Sequence, residues 1–449
     1  MSEAKDPNAE FLARYQKKRR RGIRRVQKWL DRLGWRVAKL LYTPLAARMR
    51  RQGRCFLVIT NPNRIGHLAV EQDWYFRKVA LGELPRRRPM LILPKGRAAN
   101  DALLAHWARH VEVVESPLRR RLLRPYMEFP DLVVDLAPSA AGVTEPADYP
   151  GLLARWGDRP PIISLTQEER AAGRATLERM GLPPDAWFVC VHAREGGYSP
   201  KDEFMHAHRN SDIATCVEAM EAIVARGGWA IRVGDPTMTP LEERPGIVDY
   251  ANSPHRSPEM DMFLCAETRL FLGNTSGLCM VATAFGRPTL LVNMTPHGAG
   301  LGMAPGDVAV PKLLRGPDGQ LLPFPEIFAG DASHLRFAEL FRERGLEVVD
   351  NTPEEIREAV EEVLDRQEGR FEETEADRAR QRAYRALFRP VHYCSLSAAS
   401  ISTTFLRRHA ALLETAPLDI ATPEIAPPDS PQAAPEGGPA LRRGPSAAI

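Results

Sequence analysis

From Arg54 onward, short, mainly apolar runs alternate with segments of helical periodicity. "CFLVIT", "PMLILP", "VEVVES" and "DLVVDLAP" are interleaved with a helical stretch at about His67 to Leu81 and with "AANDALLAHWARH". A strand apolar on both faces cannot lie on a surface, so these runs predict parallel strands joined by crossover helices. The prolines of "GDRPPIISLTQEERAAGRATLERMGLPPDA" mark an interdomain connection with a helix from about Thr166. After it the same order returns, with "WFVCVHARE", "WAIRVGD", "RLFLGN" and "PTLLVNM" as strands and 211–226, 258–266 and 276–285 as helices. The expectation is an α/β fold with two Rossmann-like domains facing a cleft. A length of 449 residues suits two domains of about 100–200 residues each, plus extensions.

The predicted boundaries are a basic amphipathic helical arm over 1–53, an N-terminal domain over 54–165, a second domain over 166–350, charged helices over 351–415 and a Pro/Ala-rich disordered tail over 416–449. In "TPEE", Thr352, Pro353 and Glu355 form a helix-start signature with a returning carboxylate. Residues 1–54 carry seventeen Lys or Arg against four Asp or Glu, a local net of +13, so the rest of the chain nets −9. Trp and Leu interleaved with this charge suit a helix on an anionic membrane surface. The alternative is a basic face whose apolar side packs on the protein's own domain; no nucleic-acid motif accompanies the charge, and no nucleic-acid partner is expected. Six separate cysteines without metal-ligand spacing fit reduced, buried thiols. No apolar stretch approaches the ~20 residues of a membrane span, and the first residues lack a signal-peptide core. A cytoplasmic protein is expected, peripheral on the inner face of the membrane if the arm binds lipid.

Ligands of open α/β sheets gather at the carboxyl ends of strands, where helix N-termini present free N–H groups. Four such ends are legible in the second domain: His192 to Tyr198, Gly234-Asp235, Gly273 to Gly277, and Asn293. In "GNTSGL", Gly273 and Gly277 permit close approach, while Asn274, Thr275 and Ser276 supply polar groups for an anion; a plainly capped helix is the alternative. Arg194 could grip a diphosphate bidentately, or pair with Glu195 or Asp202. Gly196 and Gly197 give its loop freedom to wrap. His192 fits a role orienting that loop as well as one at the donor. Asp235 could bind a ribose hydroxyl or cap the next turn. Asp249 and Tyr250 could flank a base or sugar, or form a surface turn, and Glu259 could hold donor hydroxyls or favour a helix dipole. In the first domain, "TNPNRIGHLAVEQDWYFRK" sets Arg64 and Gly66 beside His67 at a helix start, with Glu71 one turn later. A histidine oriented by a carboxylate is suited to take a proton near neutral pH, the alternative being a helix cap.

Together with "RNSDI", "VDYANS" and "EMDMFLCAETRLFLGNTSGLCMVATAFGRPTLLVN", these segments resemble a family of bacterial glycosyltransferases found with surface-polysaccharide genes, over roughly residues 55–300. The second half also looks like the GT-B group, in which two Rossmann-like domains enclose a cleft. His192-x-Arg194 is similar to the HxR element of fucosyltransferases, and the "GNTSG" segment to the donor loop of heptosyltransferase-like enzymes. The resemblance implies that Arg194 and Thr275 to Gly277 bind donor phosphates, that a nucleoside diphosphate sugar and a glycan or lipid-linked acceptor are the partners, and that neither metal nor other cofactor is needed. In keeping with that, Glu71-x-Asp73 and Glu259-x-Asp261, the nearest approaches to a DxD, fall in predicted helices, where residues two apart do not share a face. The basic arm lies outside the resemblance. A nucleotide-sugar epimerase and a non-catalytic nucleotide-binding scaffold are the alternative readings.

Overall fold

The computed structural model describes residues 7–19, 42–136, 148–198, 200, 203–299 and 304–414. Four strands, Arg54–Val58 (β1), Arg88–Ile92 (β2), Glu112–Val114 (β3) and Val133–Asp135 (β4), form a parallel sheet in the order β3-β2-β1-β4. Phe188–His192 (β5), Trp229–Arg232 (β6), Ile247–Asp249 (β7), Leu270–Gly273 (β8), Thr289–Met294 (β9) and Val308–Pro311 (β10) build a second parallel sheet. Leu313–Arg315 (β11) and Glu347–Val349 (β12) pair antiparallel beside it, and Ser400–Ile401 (β13) closes its edge, giving β13-β10-β9-β8-β5-β6-β7. The continuous apolar runs explain the centre of this sheet: every residue of β5, β8 and β9 is buried. Each fully buried Leu or Phe there contributes on the order of 1.5–3 kcal/mol.

The expectation of an α/β fold built on parallel sheets is met. The second sheet recruits β13 from the segment read as a helical tail, so its unit does not end at residue 350. The capping box at Thr352 forms as expected: the Glu355 N–H donates to Thr352 Oγ1 at 3.2 Å, and the Thr352 N–H to Glu355 Oε2 at 2.9 Å. All six cysteines are buried and free. Among the described residues no helix is long and apolar enough to cross a membrane. In the arm, the Pro7–Arg19 helix docks on the second unit, where the buried Asn8 side chain donates to the His334 carbonyl at 3.0 Å and accepts from the Arg336 N–H at 2.9 Å. Phe11 stacks on Phe337 at 4.4 Å. The helix over 42–51 instead buries Ala46 and Met49 with Phe56, Met90 and Tyr126 of the first unit. Where it is described, then, the apolar side of the arm packs on the protein itself; 20–41 and the tail over 416–449 lie outside the described residues.

Both sheets place a reversal of strand order next to the junction between them. In the first, β1 leads to β2 on one side and has β4 on the other; in the second, β5 leads to β6 while β8 lies opposite. Such reversals open a crevice at the carboxyl ends. The helices leaving β1 and β8, Ile65–Ala80 and Gly277–Ala284, cross at their first turns. A Cβ at Gly66 would lie 3.1 Å from Gly277 Cα, and one at Gly277 would lie 2.8 Å from Ile65 Cγ2 and 3.0 Å from the Gly66 nitrogen. The second junction is polar and aromatic: Asn100 Nδ2 donates to the Pro258 carbonyl at 3.3 Å, and His106 meets Phe285 edge-on at 5.3 Å.

Because backbone faces backbone at the glycine crossing, Gly277→Ala cannot be absorbed by a rotamer change. It is expected to destabilise the protein by about 1–3 kcal/mol in urea unfolding. Gly330→Ala, whose added carbon would meet nothing closer than 3.5 Å, serves as the control and should stay within about 0.5 kcal/mol.

Candidate functional site

The histidine at the first helix start is built from the strand outward. Glu71 is completely buried; its Oε2 accepts the Thr60 N–H at 2.9 Å, just past β1, and its Oε1 lies 2.6 Å from His67 Nδ1. The carboxylate therefore holds one ring nitrogen, while the His67 side chain keeps 25% of its surface. Gly66 is the crossing residue, and Arg64 is the extended residue before the helix, whose start carries no side-chain cap. Asp73, two residues beyond Glu71, points elsewhere: it pairs with Arg77 at 2.5 Å and accepts the Tyr149 hydroxyl at 2.7 Å inside the core.

Across the crossing, the β8 turn is held open from behind. The buried Asn274 side chain accepts the Arg194 N–H at 3.0 Å and donates to the Arg209 carbonyl at 2.8 Å and to Ser211 Oγ at 3.2 Å, which ties β8 to the loop after β5. The Arg209 guanidinium donates to the Thr275 carbonyl through Nε at 2.9 Å and Nη2 at 2.5 Å. In a trans peptide the N–H opposes the C=O, so pinning that carbonyl turns the Ser276 N–H away from Arg209. Ser276 starts the Gly277–Ala284 helix without capping it, and its Oγ and Thr275 Oγ1 are buried with no partner among the described residues. Two hydroxyls and a set of first-turn amides are thus unmet at one helix N-terminus.

The charge around this turn is positive. Burial, followed by the neighbouring Arg194 and, more weakly, Arg64, pulls the Arg209 pKa down to about 10. Arg194 bonds the His206 carbonyl at 3.3 Å and Asn210 Oδ1, and its carboxylate neighbour is Glu203 at 3.6 Å. Glu195, one of its two anticipated partners, goes to Arg232 instead, at 3.0 Å, where Asp249 adds a second contact at 2.9 Å; Asp202 lies outside the described residues.

Other anticipated donor residues are committed to structure. His192 is buried and its Nδ1 donates to the Val233 carbonyl at 3.0 Å; burial lowers its pKa to about 4, so it is a neutral brace between β5 and β6 rather than a donor contact. Tyr250 was expected beside a base or sugar, but its ring is enclosed and its hydroxyl donates to Asp261 Oδ1 at 2.8 Å while accepting the Ser257 N–H at 3.1 Å. Asp235 accepts the Thr237 N–H at 3.0 Å, the turn-capping alternative. Gly196 and Gly197 lie where a Cβ would strike Glu203 at 2.9 Å and Thr237 at 2.7 Å, so they let the loop pack. Asn293 exchanges two hydrogen bonds with Asn351, at 2.6 and 2.7 Å. Glu259 stands exposed on the first turn of the Pro258–Glu267 helix. Arg209 and the buried Lys312, which donates to the Asn210 carbonyl and to Asp350, both at 2.6 Å, were not anticipated; the one available signal was the Arg209 of "RNSDI". Among the described residues no three His, Cys, Asp or Glu cluster as metal ligands.

No family model matches the chain, and no curated protein matches it. Among solved structures the chain is similar to ADP-heptose LPS heptosyltransferase II of E. coli, at 14% identity over 70% of this chain and 99% of that one, with a TM-score of 0.42. It is similar to a glycosyl transferase family 9 protein of Veillonella parvula, at 12% identity over 53% and 80% of the two chains and a TM-score of 0.35. A third is the dodecameric iron-containing heptosyltransferase TibC of enterotoxigenic E. coli in complex with ADP-D-β-D-heptose, at 14% identity, 54% and 58% coverage and a TM-score of 0.31.

Burial raises the Asp261 carboxyl to about 6, against the lowering hydrogen bond from Tyr250. A carboxyl raised in the fold favours folding when protonated; that contribution is complete below its unfolded pKa of about 4 and lost as pH rises through about 6. Relative to Asp261→Asn, the wild type is expected to lose on the order of 3 kcal/mol of stability between pH 4 and pH 7. Urea unfolding across that range checks this, and parallel curves for the two proteins would contradict it.

Proposed function

We propose that the protein is a glycosyltransferase of the GT-B plan that moves a sugar from a nucleoside diphosphate sugar to a hydroxyl of a glycan or lipid-linked acceptor. The reading rests on the unmet turn Thr275 to Gly277, ringed by Arg194, Arg209 and Arg64, facing a carboxylate-oriented histidine across a glycine crossing. Like charges held together at an uncapped helix start favour a multiply charged anion, and a diphosphate fits that demand. The surface-polysaccharide setting of the reaction comes from the sequence resemblance.

In this mechanism the acceptor hydroxyl gives its proton to His67 Nε2 while its oxygen bonds to the anomeric carbon of the donor. The bond from that carbon to the diphosphate oxygen breaks, and the electron pair leaves on the diphosphate. Glu71 holds the Nδ1 proton and stabilises the imidazolium that forms. Arg194, the Ser276 and Gly277 amides and the two hydroxyls receive the leaving charge, with the 3.6 Å pair to Glu203 as the contact a phosphate displaces. Arg209 acts behind them by fixing the Thr275 peptide. In this reading Glu259 is assigned to donor hydroxyls, and Arg64 and Gly66 to the acceptor side. A single displacement of this kind inverts the anomeric centre. Arginine and amide charge take the part that a divalent cation plays in other transferases, so chelation with EDTA is expected to leave turnover unchanged.

The test is a thermal-shift screen with UDP, GDP, ADP, CMP and dTDP. One nucleotide family, at about 100 times its dissociation constant, is expected to stabilise the wild type by ~2.7 kcal/mol. Arg194→Ala should weaken that binding about 10- to 100-fold. Glu71→Gln should leave it intact while lowering turnover about 10²- to 10⁴-fold. A wild type that responds to no nucleotide would leave the protein as a scaffold.

A further inference from the structure

Past the carboxyl end of β9 the chain encloses a cavity of about 630 Å³, lined by Met294, His297, Tyr384, Arg385, Phe388 and Ile401 among others. That volume is in the range of small-molecule sites. Its wall is aromatic: Tyr384 meets Phe324 edge-on at 5.2 Å and Phe328 at 5.6 Å, and Phe388 lies 4.8 Å from Phe328. Two polar groups in this wall have no hydrogen-bond partner among the described residues. Tyr384 is 2% exposed and its hydroxyl is unmet; His297 is 1% exposed and both ring nitrogens are unmet. Burial lowers the His297 pKa to about 4, and the Lys312 backbone opposes that shift without reaching hydrogen-bonding geometry. The ring is therefore neutral, with one donor and one acceptor, and the phenol adds one of each. Keeping such groups dry is unfavourable, so the wall favours an occupant that carries hydroxyls.

The ionic lining narrows its chemistry. Glu373 is paired with Arg366 at 2.6 Å, and Arg382 with Glu375 at 2.6 Å. Arg385 is different. Its half-buried guanidinium donates to the Ser395 carbonyl at 2.7 Å and lies over the Phe388 ring at 5.1 Å, with no carboxylate partner among the described residues. A cation without a counter-ion beside unmet neutral groups matches a ligand that carries one carboxylate and several hydroxyls. We propose that this cavity binds a small hydroxylated carboxylic acid of the sugar-acid class, its carboxylate on Arg385 and its hydroxyls on Tyr384 and His297. The flat aromatic wall suits the C–H face of a sugar ring. The cavity opens at the end of β9, the strand next to β8, and it uses none of the residues assigned to the diphosphate.

Isothermal titration of the full chain with D-glucuronate and D-galacturonate, with D-glucose and acetate as controls, tests the assignment. The uronates are expected to bind, and the two controls to give no heat at the same concentrations. Arg385→Gln should weaken uronate binding at least about tenfold, Arg385→Lys should retain most of it, and Tyr384→Phe, which keeps the ring packing, should weaken it about five- to tenfold. Uronates that give no heat with folded wild type would mean that the cavity holds only water, and the assignment would fall. It would fall equally if glucose bound as well as the uronates, or if both Arg385→Gln and Tyr384→Phe bound them as the wild type does.

Discussion

The contact between Gly66 and Gly277 fixes what everything else in the junction can be. Each glycine opens a helix that leaves the carboxyl end of a strand at the reversal point of its own sheet, so one backbone contact brings two sheet ends and two helix N-termini together. Both ends carry positive partial charge, and no side chain caps either. His67 follows from the same geometry. It sits one residue past the contact, and Glu71, anchored by the Thr60 N–H beyond β1, sets which ring nitrogen faces outward.

Two arginines on this edge differ in how their charge is met. Arg232, at the end of β6, is fully buried and met by Glu195 and Asp249, each also tied to backbone amides, so its charge is neutralised where it stands. Arg209 is held by the Thr275 carbonyl, a partner that satisfies its geometry but not its charge. Its depressed pKa records that imbalance, since burial and nearby guanidiniums outweigh the carboxylate of Glu203.

The strands buried along their whole length in the centre of the second sheet, β5, β8 and β9, came through in the sequence because continuous apolar composition is the direct consequence of that burial. β3 and β4 came through on composition although only partly buried. β7, β10 and β13 did not: "IVD" and "SI" are short and incompletely buried, "VAVP" is buried throughout but ends in a proline, and pairing with neighbours far along the chain defines β7 and β13. The His67–Glu71 pair was legible because four residues separate its members on one helix face. Tyr250 was misread because its partners, Ser257 and Asp261, reach it only after the chain folds back at the start of the next helix. Arg209 left no periodic signal beyond its place in "RNSDI", since it lies in an irregular loop and its partner Thr275 is 66 residues away. Local periodicity reveals burial and same-helix pairs; it does not reveal which distant carbonyl an arginine will choose.

The basic arm enters this picture through packing as well as charge. Its first described helix packs on the second unit and the helix over 42–51 on the first. The attachment also bears on the loop that carries Arg194. Phe11 stacks on Phe337, whose ring lies 6.2 Å from that of His206, and the His206 carbonyl accepts the Arg194 guanidinium. Among the contacts of Arg194 is the His206 carbonyl, whose backbone is steadied where the His206 ring meets Phe337. The Asn8 and Phe11 contacts supply part of that restraint, which gives the apolar side of the arm a role at the site without requiring its charge to touch a ligand.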